Sequence, residues 1–377
     1  MNDVPLQAKS ATRITCMVHR LAANPVMERM NALGADATLV ENARCVRQRV
    51  RARGWGLPGH ATELDDSPMD VFRTTVPRAA ADHIARELIE AGELRTPGHG
   101  MLYTQDVVEY SRTELPAIEP DPDPRPSGML HDMALLTCIL STAGSGEQMA
   151  GIALTLGAGV PVVSRGAGTG IRDRLGLLRI AVPPEKEVVR LMIPAHDADG
   201  IRSLLIEEGR LDRAGGGFMY QTPIQAGLPD PLLRIGRQRH AASMEQIIAA
   251  LDNLKGGTFW RKRFVATEDR PERVARQTRR PNREITFTCS EGCAEDWVHA
   301  AMAAGADGAT TAQARRLGAD PAEGSGVARE TGVLCVPAAK ADSVLDALRN
   351  FADRSAHRDS CIQALDAPAA FTHQRKR

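Results

Sequence analysis

Val188-Val189-Arg190-Leu191-Met192-Ile193-Pro194, with Asp199 five residues beyond the proline, is the stretch on which the reading of this chain turns. Val188 to Ile193 reads as a short aliphatic strand. Beyond the proline, Ala198 to Glu208 reads as a helix with Ile201, Leu204 and Leu205 in a stripe at three-to-four spacing, and Gly209 is expected to end it as a left-handed cap. The same register occurs at Val76-Pro77 with Asp82 and at Val336-Pro337 with Asp342. Ten residues past each Asp stand Gly92, Gly209 and Ala352, and eight further on stand Gly100, Gly217 and Ser360.

Upstream the correspondence continues. Thr15-Cys16 leads to Gly34-Ala35, Thr137-Cys138 to Gly157-Ala158, and Thr288-Cys289 to Gly305-Ala306. One order of features met three times argues for duplication, and at 377 residues the chain is long enough for two to four domains. Each copy reads as strand, helix, strand, loop, strand, helix, strand. The fold class expected is therefore α+β: three ferredoxin-like βαββαβ units forming a single-chain pseudo-trimer, with three sheets closed into a triangular prism.

The divisions expected are a first unit over 11–111, a Pro-rich acidic linker over 112–130, a second and best-preserved unit over 131–225, a helix plus Arg-rich linker over 226–282, and a degenerate third unit over 283–373. Ser243 to Leu254 reads as an amphipathic helix, and Phe259 to Arg283 as a basic stretch. A solvated linker is the ordinary reading of such a stretch; docking of an acidic partner or nucleic acid is the functional alternative.

Composition excludes several classes. Lys plus Arg equals Asp plus Glu at 47 each, so no global field draws the chain to nucleic acid. The start lacks a signal-like segment and no apolar run is long enough for a bilayer, so the expected compartment is the cytoplasm. Seven cysteines without a Cys-x-x-Cys pair point to buried free thiols. Cys16, Cys138 and Cys289 recur on first strands, where a ring of thiols around a metal is conceivable, but small buried apolar residues are the reading taken and no metal is assigned.

Chemistry concentrates in glycines. Ser164-Arg165-Gly166-Ala167-Gly168-Thr169-Gly170-Ile171-Arg172 follows an apolar strand, so N–H groups freed by glycine would cradle an anion beside Arg165, Arg172 and Arg174. Its spacing is not that of a dinucleotide fingerprint, and it lacks the lysine of a P-loop. Gly215-Gly216-Gly217 follows the second helix, and Gly98-His99-Gly100 takes the same place in the first copy; two such loops facing each other would make a pocket. His196 with Asp197, His240, and His357 with Asp359 are not spaced as any catalytic motif, so no enzyme is expected.

On these residues, Ser164 to Val189 and Ile206 to Ile224 resemble the T-loop and B-loop regions of PII nitrogen regulators and their PII-like relatives. The resemblance implies a signal-transduction protein that senses a small anionic effector, an adenine nucleotide (ATP, ADP or AMP), and controls a membrane transporter or metabolic enzyme through a short loop over 171–184. It places Arg165, Gly166, Gly168, Thr169, Gly170, Arg172 and Gly215 to Gly217 near phosphates, with Gly98 and Gly100 as counterparts, and implies a monomer. Gly170 and Phe218 stand where the regulators carry a Gln and a Lys that hold ligand, and no Tyr occurs between Arg165 and Glu187. The chain is thus closer to the PII-like branch.

Overall fold

The computed structural model describes residues 6–35, 37–52, 60–118, 127–169, 185–213, 215–230, 251, 254, 281–317, 327–354 and 360–372. The expected loop over 171–184, the basic stretch up to 280 and most of the acidic linker lie outside them.

The elements are β1 (Gln7–His19), α1 (Ala23–Ala32), β2 (Leu39–Ala52), β3 (His60–Val76), α2 (Ala81–Ala91) and β4 (Gly100–Ser111). Next come β5 (Met133–Leu140), α3 (Ser145–Thr155), β6 (Val162–Thr169), β7 (Glu185–Pro194), α4 (Ala198–Glu208), β8 (Phe218–Pro223) and β9 (Ala226–Leu228). Last are β10 (Asn282–Ser290), α5 (Ala294–Ala303), β11 (Ala309–Arg316), β12 (Ala328–Pro337), α6 (Ala338–Arg354), β13 (Cys361–Ala367) and β14 (Ala369–Thr372).

The strands correct the expected architecture. They do not make three ferredoxin-like units assembled as a pseudo-trimer of separate sheets. All fourteen belong to one antiparallel sheet, in which β11, β12, β10, β13, β4, β1, β3, β2 and β6 follow one another and β6 returns to β11, closing a nine-stranded barrel. From β6 the sheet runs on through β7, β5, β8 and β14, and β9 adds to β4. The order strand, helix, strand, strand, helix, strand does run through each third of the chain. What it could not convey is that distant strands meet edge to edge, as β13 does with β4 (Cys361 opposite Ser111) and β2 with β6 (Ala43 opposite Ser164). Edge pairing satisfies the backbone groups that stacked sheets would leave open.

Alternation along the strands sorts side chains between two surroundings. On β1, Ile14, Cys16 and Val18 turn to α1 and α2, packing with Ile84, Leu88 and Ile89, which are buried as the helical spacing requires. Cys138 and Cys289 sit the same way in two other clusters, beneath α3 with α4 and α5 with α6. The three thiols therefore lie apart, each pushed up to about 12 by burial, and cannot share a metal. The opposite face of the strands looks into the barrel. One layer there is apolar, with Met17, Met69, Met101 and Val162, joined by Leu135 of β5 and Met192 of β7 from the sheet beyond β6, and the adjoining layer is polar.

Two helix details differ from the sequence reading. Leu204 is exposed, while Arg202 is buried on α4 and bonds Asp199 and Gln221, each at 2.6 Å. Gly92 and Gly209 are right-handed; the left-handed residues are Glu93 and Arg210, one position later. Glycine stands at 209 for space, since a Cβ there would lie 2.3 Å from Met149 Cε and 2.5 Å from the Leu205 carbonyl oxygen.

Candidate functional site: an anion cradle and a polar interior

The glycine-rich segment read as a phosphate loop is largely strand. Arg165, Gly166, Gly168 and Thr169 lie in β6, where Arg165 and Gly166 stand opposite Glu187 and Lys186 of β7, and Gly168 and Thr169 opposite Thr310 and Ala309 of β11. Their backbone groups belong to ladders. A Cβ on Gly166 would stand 2.8 Å from Thr310 Cγ2, and one on Gly168 would stand 2.4 Å from Lys186 Cε, so glycine here lets side chains cross the strand. Gly170, Arg172 and Arg174 lie outside the described residues.

Gly215 to Gly217 form the turn between α4 and β8. Gly217, at φ +129°, brings its Cα so close to β5 that a Cβ would be 2.5 Å from the Ile139 carbonyl oxygen. Gly100 repeats this at the start of β4, with a Cβ position 2.0 Å from the Met17 carbonyl oxygen. The two turns do not face one another: the first closes on Arg210 and Ile139, the second on Arg47 and Asp230.

At the second turn the groups converge on an anion. The Gly98 N–H donates to Asp230 Oδ1 at 2.8 Å, and Arg47 Nη2 stands 3.4 Å from Asp230 Oδ2 while donating to the Gly98 carbonyl at 2.7 Å. Gly98 has φ +92°, which side chains rarely adopt, and a Cβ would meet Arg47 Nη1 at 2.8 Å, so a side chain here would displace the guanidinium from the turn. His19 donates its backbone N–H to the His99 carbonyl at 2.7 Å, pinning the turn to the end of β1. Burial first, then Arg47 and His99, lower the basicity of the His19 ring.

Asp230 itself is nearly enclosed. Burial pushes its carboxyl up from 3.8 to about 6, against the pull of the Gly98 N–H, Arg47 and His99. A raised native value means that the folded state favours the protonated form. The stabilisation is thus complete below pH about 3.8 and lost as pH rises through about 6, leaving the ionised carboxylate to cost roughly 2–3 kcal/mol at neutral pH. Urea unfolding from acid to neutral pH should show this: the wild-type stability minus that of Asp230→Asn falls between about pH 4 and pH 6 and is level above. A difference independent of pH would mean that Asp230 titrates normally.

The polar layer of the barrel is the feature sequence reasoning missed. Arg13 on β1 donates to Gln105 Oε1 on β4 at 2.7 Å and to Glu284 Oε1 on β10 at 2.8 Å, and the Tyr220 hydroxyl on β8 bonds the same Glu284. Arg73 on β3 pairs with Glu41 on β2, whose Oε1 also accepts from Thr331 Oγ1 on β12 at 3.0 Å. Burial would raise the Glu41 carboxyl, but Arg73, then Arg190 and Thr331, hold it below its ordinary value. Gln363 on β13 donates to Thr75 at 2.6 Å and to Glu109 at 3.0 Å. The available signal was charge at one position of otherwise apolar strands, as Arg190 in Val188 to Ile193 and Glu284 before Ile285.

No family model matches the chain. The search of curated proteins gave no match either. Among solved structures, it is weakly similar to GlnK of B. subtilis, a PII protein, at 9% identity and a TM-score of 0.23, over 30% of this chain and 97% of that one. The B. subtilis GlnK–ATP complex is similar at 10% identity and TM-score 0.23, over 27% and 88%. An anthrone oxidase-like protein follows at 12% and 0.18, over 61% and 100%. At these values the likeness assigns no activity to the chain. Among the described residues no helix is long and apolar enough to cross a membrane.

Proposed function

We propose that the chain is a non-catalytic regulatory protein that senses a small anionic effector, an adenine nucleotide, at the Gly98–Arg47 cradle and signals to a transporter or enzyme. The observation carrying this reading is the convergence of the Gly98 N–H and the Arg47 guanidinium on one carboxylate, that of Asp230. A backbone N–H beside a guanidinium is the donor set that receives a phosphate oxygen, and charge assistance makes such bonds short and strong. Gly98 and Gly100 are also the positions at which the sequence resemblance implies phosphate.

Asp230 then stands in for the effector. Its ionised form is held at a cost, so a phosphate that brings more charge to the same donors is well placed to displace it. His196 Nε2 lies 3.6 Å from Asp197 Oδ2 at the entry to α4, and His240 and His357 fall outside the described residues. The alternative, a scaffold acting through the Arg-rich segment 259–283, rests on residues of which all but 281–283 lie outside the described ones.

Isothermal titration with ATP, ADP and AMP tests the reading. At least one nucleotide is expected to bind. Arg47→Ala should weaken it tenfold or more, a change of about 1.4 kcal/mol, and Asp230→Asn, which removes the resident charge, should strengthen it. Dilution heat alone for all three nucleotides would falsify the proposal.

A further inference from the structure

A small cavity of about 20 Å³ lies where β6 closes on β11, between the barrel strands β2, β3, β6, β11 and β12 and the strands β5, β7 and β8 of the sheet beyond β6. It is separate from the Gly98 cradle, none of whose residues borders it. Space of this size holds about one water or one ion of similar radius, so it excludes a nucleotide, a phosphate or an organic acid.

The charges around it do not cancel. Glu41 supplies the carboxylate of the wall, and it is the ion-pair partner of Arg73 and the acceptor for the Thr331 hydroxyl. Arg190 of β7 brings a second guanidinium, only 9% exposed. Among the described residues it makes one hydrogen bond, from Nη1 to Ser164 Oγ at 2.8 Å, and acts on Glu41 electrostatically without pairing with it. Glu284, which acts on Arg73 and Tyr220 from behind the wall, is already held by Arg13 at 2.8 Å. Glu109 lies outside the wall and is engaged by Gln363 and Ser111. Arg165 also borders the space, but alternation along β6 turns Ser164 inward and the exposed Arg165 to the other face, so its charge does not enter the sum. Arg73 and Arg190 against Glu41 thus leave one positive charge in excess at this cavity.

Donors for an anion are in place. Thr137 stands opposite Arg190 in the β5–β7 ladder, is 2% exposed, and its hydroxyl has no hydrogen-bond partner among the described residues. That hydroxyl and the uncommitted N–H groups of Arg190 retain accessible surface, and both residues border the cavity. Ser164, which accepts from Arg190, still has its own hydrogen to give.

We propose that this cavity binds a single halide ion, chloride under ordinary conditions, held by Arg190 together with the Thr137 and Ser164 hydroxyls. A monatomic anion fits the volume, cancels the excess charge and accepts from several donors at once. A water would fit but would leave the charge uncompensated. The ion joins β5, β6 and β7 beside the strand that closes the barrel, so its occupancy favours the folded state by mass action.

Thermal melts of the full chain in sodium chloride and in sodium gluconate at equal ionic strength read the ion out. Above its dissociation constant, each tenfold rise in chloride should raise the midpoint by about 2 °C, and gluconate, too large for the space, should not. Arg190→Met, which leaves Arg73 and Glu41 as a balanced pair, should erase the difference between the two salts, and Arg47→Ala at the cradle should keep it. Should Arg190→Met fail to fold, crystals of the wild type grown in sodium bromide decide, with an anomalous bromide peak expected between Arg190 and Thr137. Equal midpoints in the two salts at every concentration, a chloride effect that survives Arg190→Met or is lost in Arg47→Ala, or no bromide at Arg190 would each overturn the proposal.

Discussion

Glu284→Ala is expected to lower the unfolding free energy by about 3–5 kcal/mol, because it strands a charge that the barrel has buried. The side chains of Arg13 and Glu284 are 8% and 5% exposed and meet at 2.8 Å, with Gln105 accepting from the same Arg13 Nη2 and Tyr220 bonded to the carboxylate. Removing the carboxylate leaves Arg13 without its counter-ion in a place water reaches poorly, and leaves the Tyr220 hydroxyl without its acceptor. The buried pair is not stabilising in itself, since desolvation offsets much of its attraction. The double replacement Arg13→Met with Glu284→Leu should therefore cost clearly less than Glu284→Ala alone. Urea denaturation of wild type, single and double variants decides it; a single variant within about 1 kcal/mol of wild type would show that the pair is hydrated.

The second large effect lies beneath α5. Trp297→Ala should cost about 3–5 kcal/mol, the usual range for emptying a buried aromatic site. Trp297 is fully buried, stacks on Phe287 at 5.2 Å between centroids with 15° between planes, and takes the edge of Phe351 at 5.4 Å and 74°. The neighbouring sheet is shaped to fit: a Cβ on Gly332 of β12 would come within 2.2 Å of the Phe287 ring, so a glycine in mid-strand is what admits the stack. With aromatics at 3% of the chain, few alternatives exist to refill the space. Trp297→Phe should recover a good part of the loss, and a loss under about 1 kcal/mol for Trp297→Ala would mean that α5 collapses onto the gap without penalty.

Much of the local structure was legible before any coordinates. The strand over Val188 to Ile193, the helix over Ala198 to Glu208 and the buried faces of Ile84, Leu88 and Ile89 follow from periodicities of two and about four, which depend on neighbours in sequence. Long-range placement was not legible. Nothing in Leu39-Val40 or Arg315-Arg316 announces that they pair across some 275 residues, and this kind of pairing turns separate sheets into a barrel. The cradle was half visible. Gly98 and Gly100 stood out because a tight turn needs them, whereas Arg47 and Asp230 carry no local mark and meet only when β2 and the chain after β9 reach the same turn. The glycines of 166–168 misled for a related reason: missing side chains look alike in sequence whether the room is left for a ligand or, as here, for Thr310 and Lys186.

Closure through β11 also orders events in time. Val40 and Thr169 wait for partners at Arg315 and Ala309, so on the ribosome β2 and β6 stay without those partners until synthesis has reached Ala309 to Arg316. Throughout that interval the nascent chain carries bare ribbon edges able to recruit stray strands, a hazard that ends in a single late event. Synthesis halted before Ala309 would thus be expected to yield sticky, insoluble fragments, whereas the finished molecule presents no such lip at that joint.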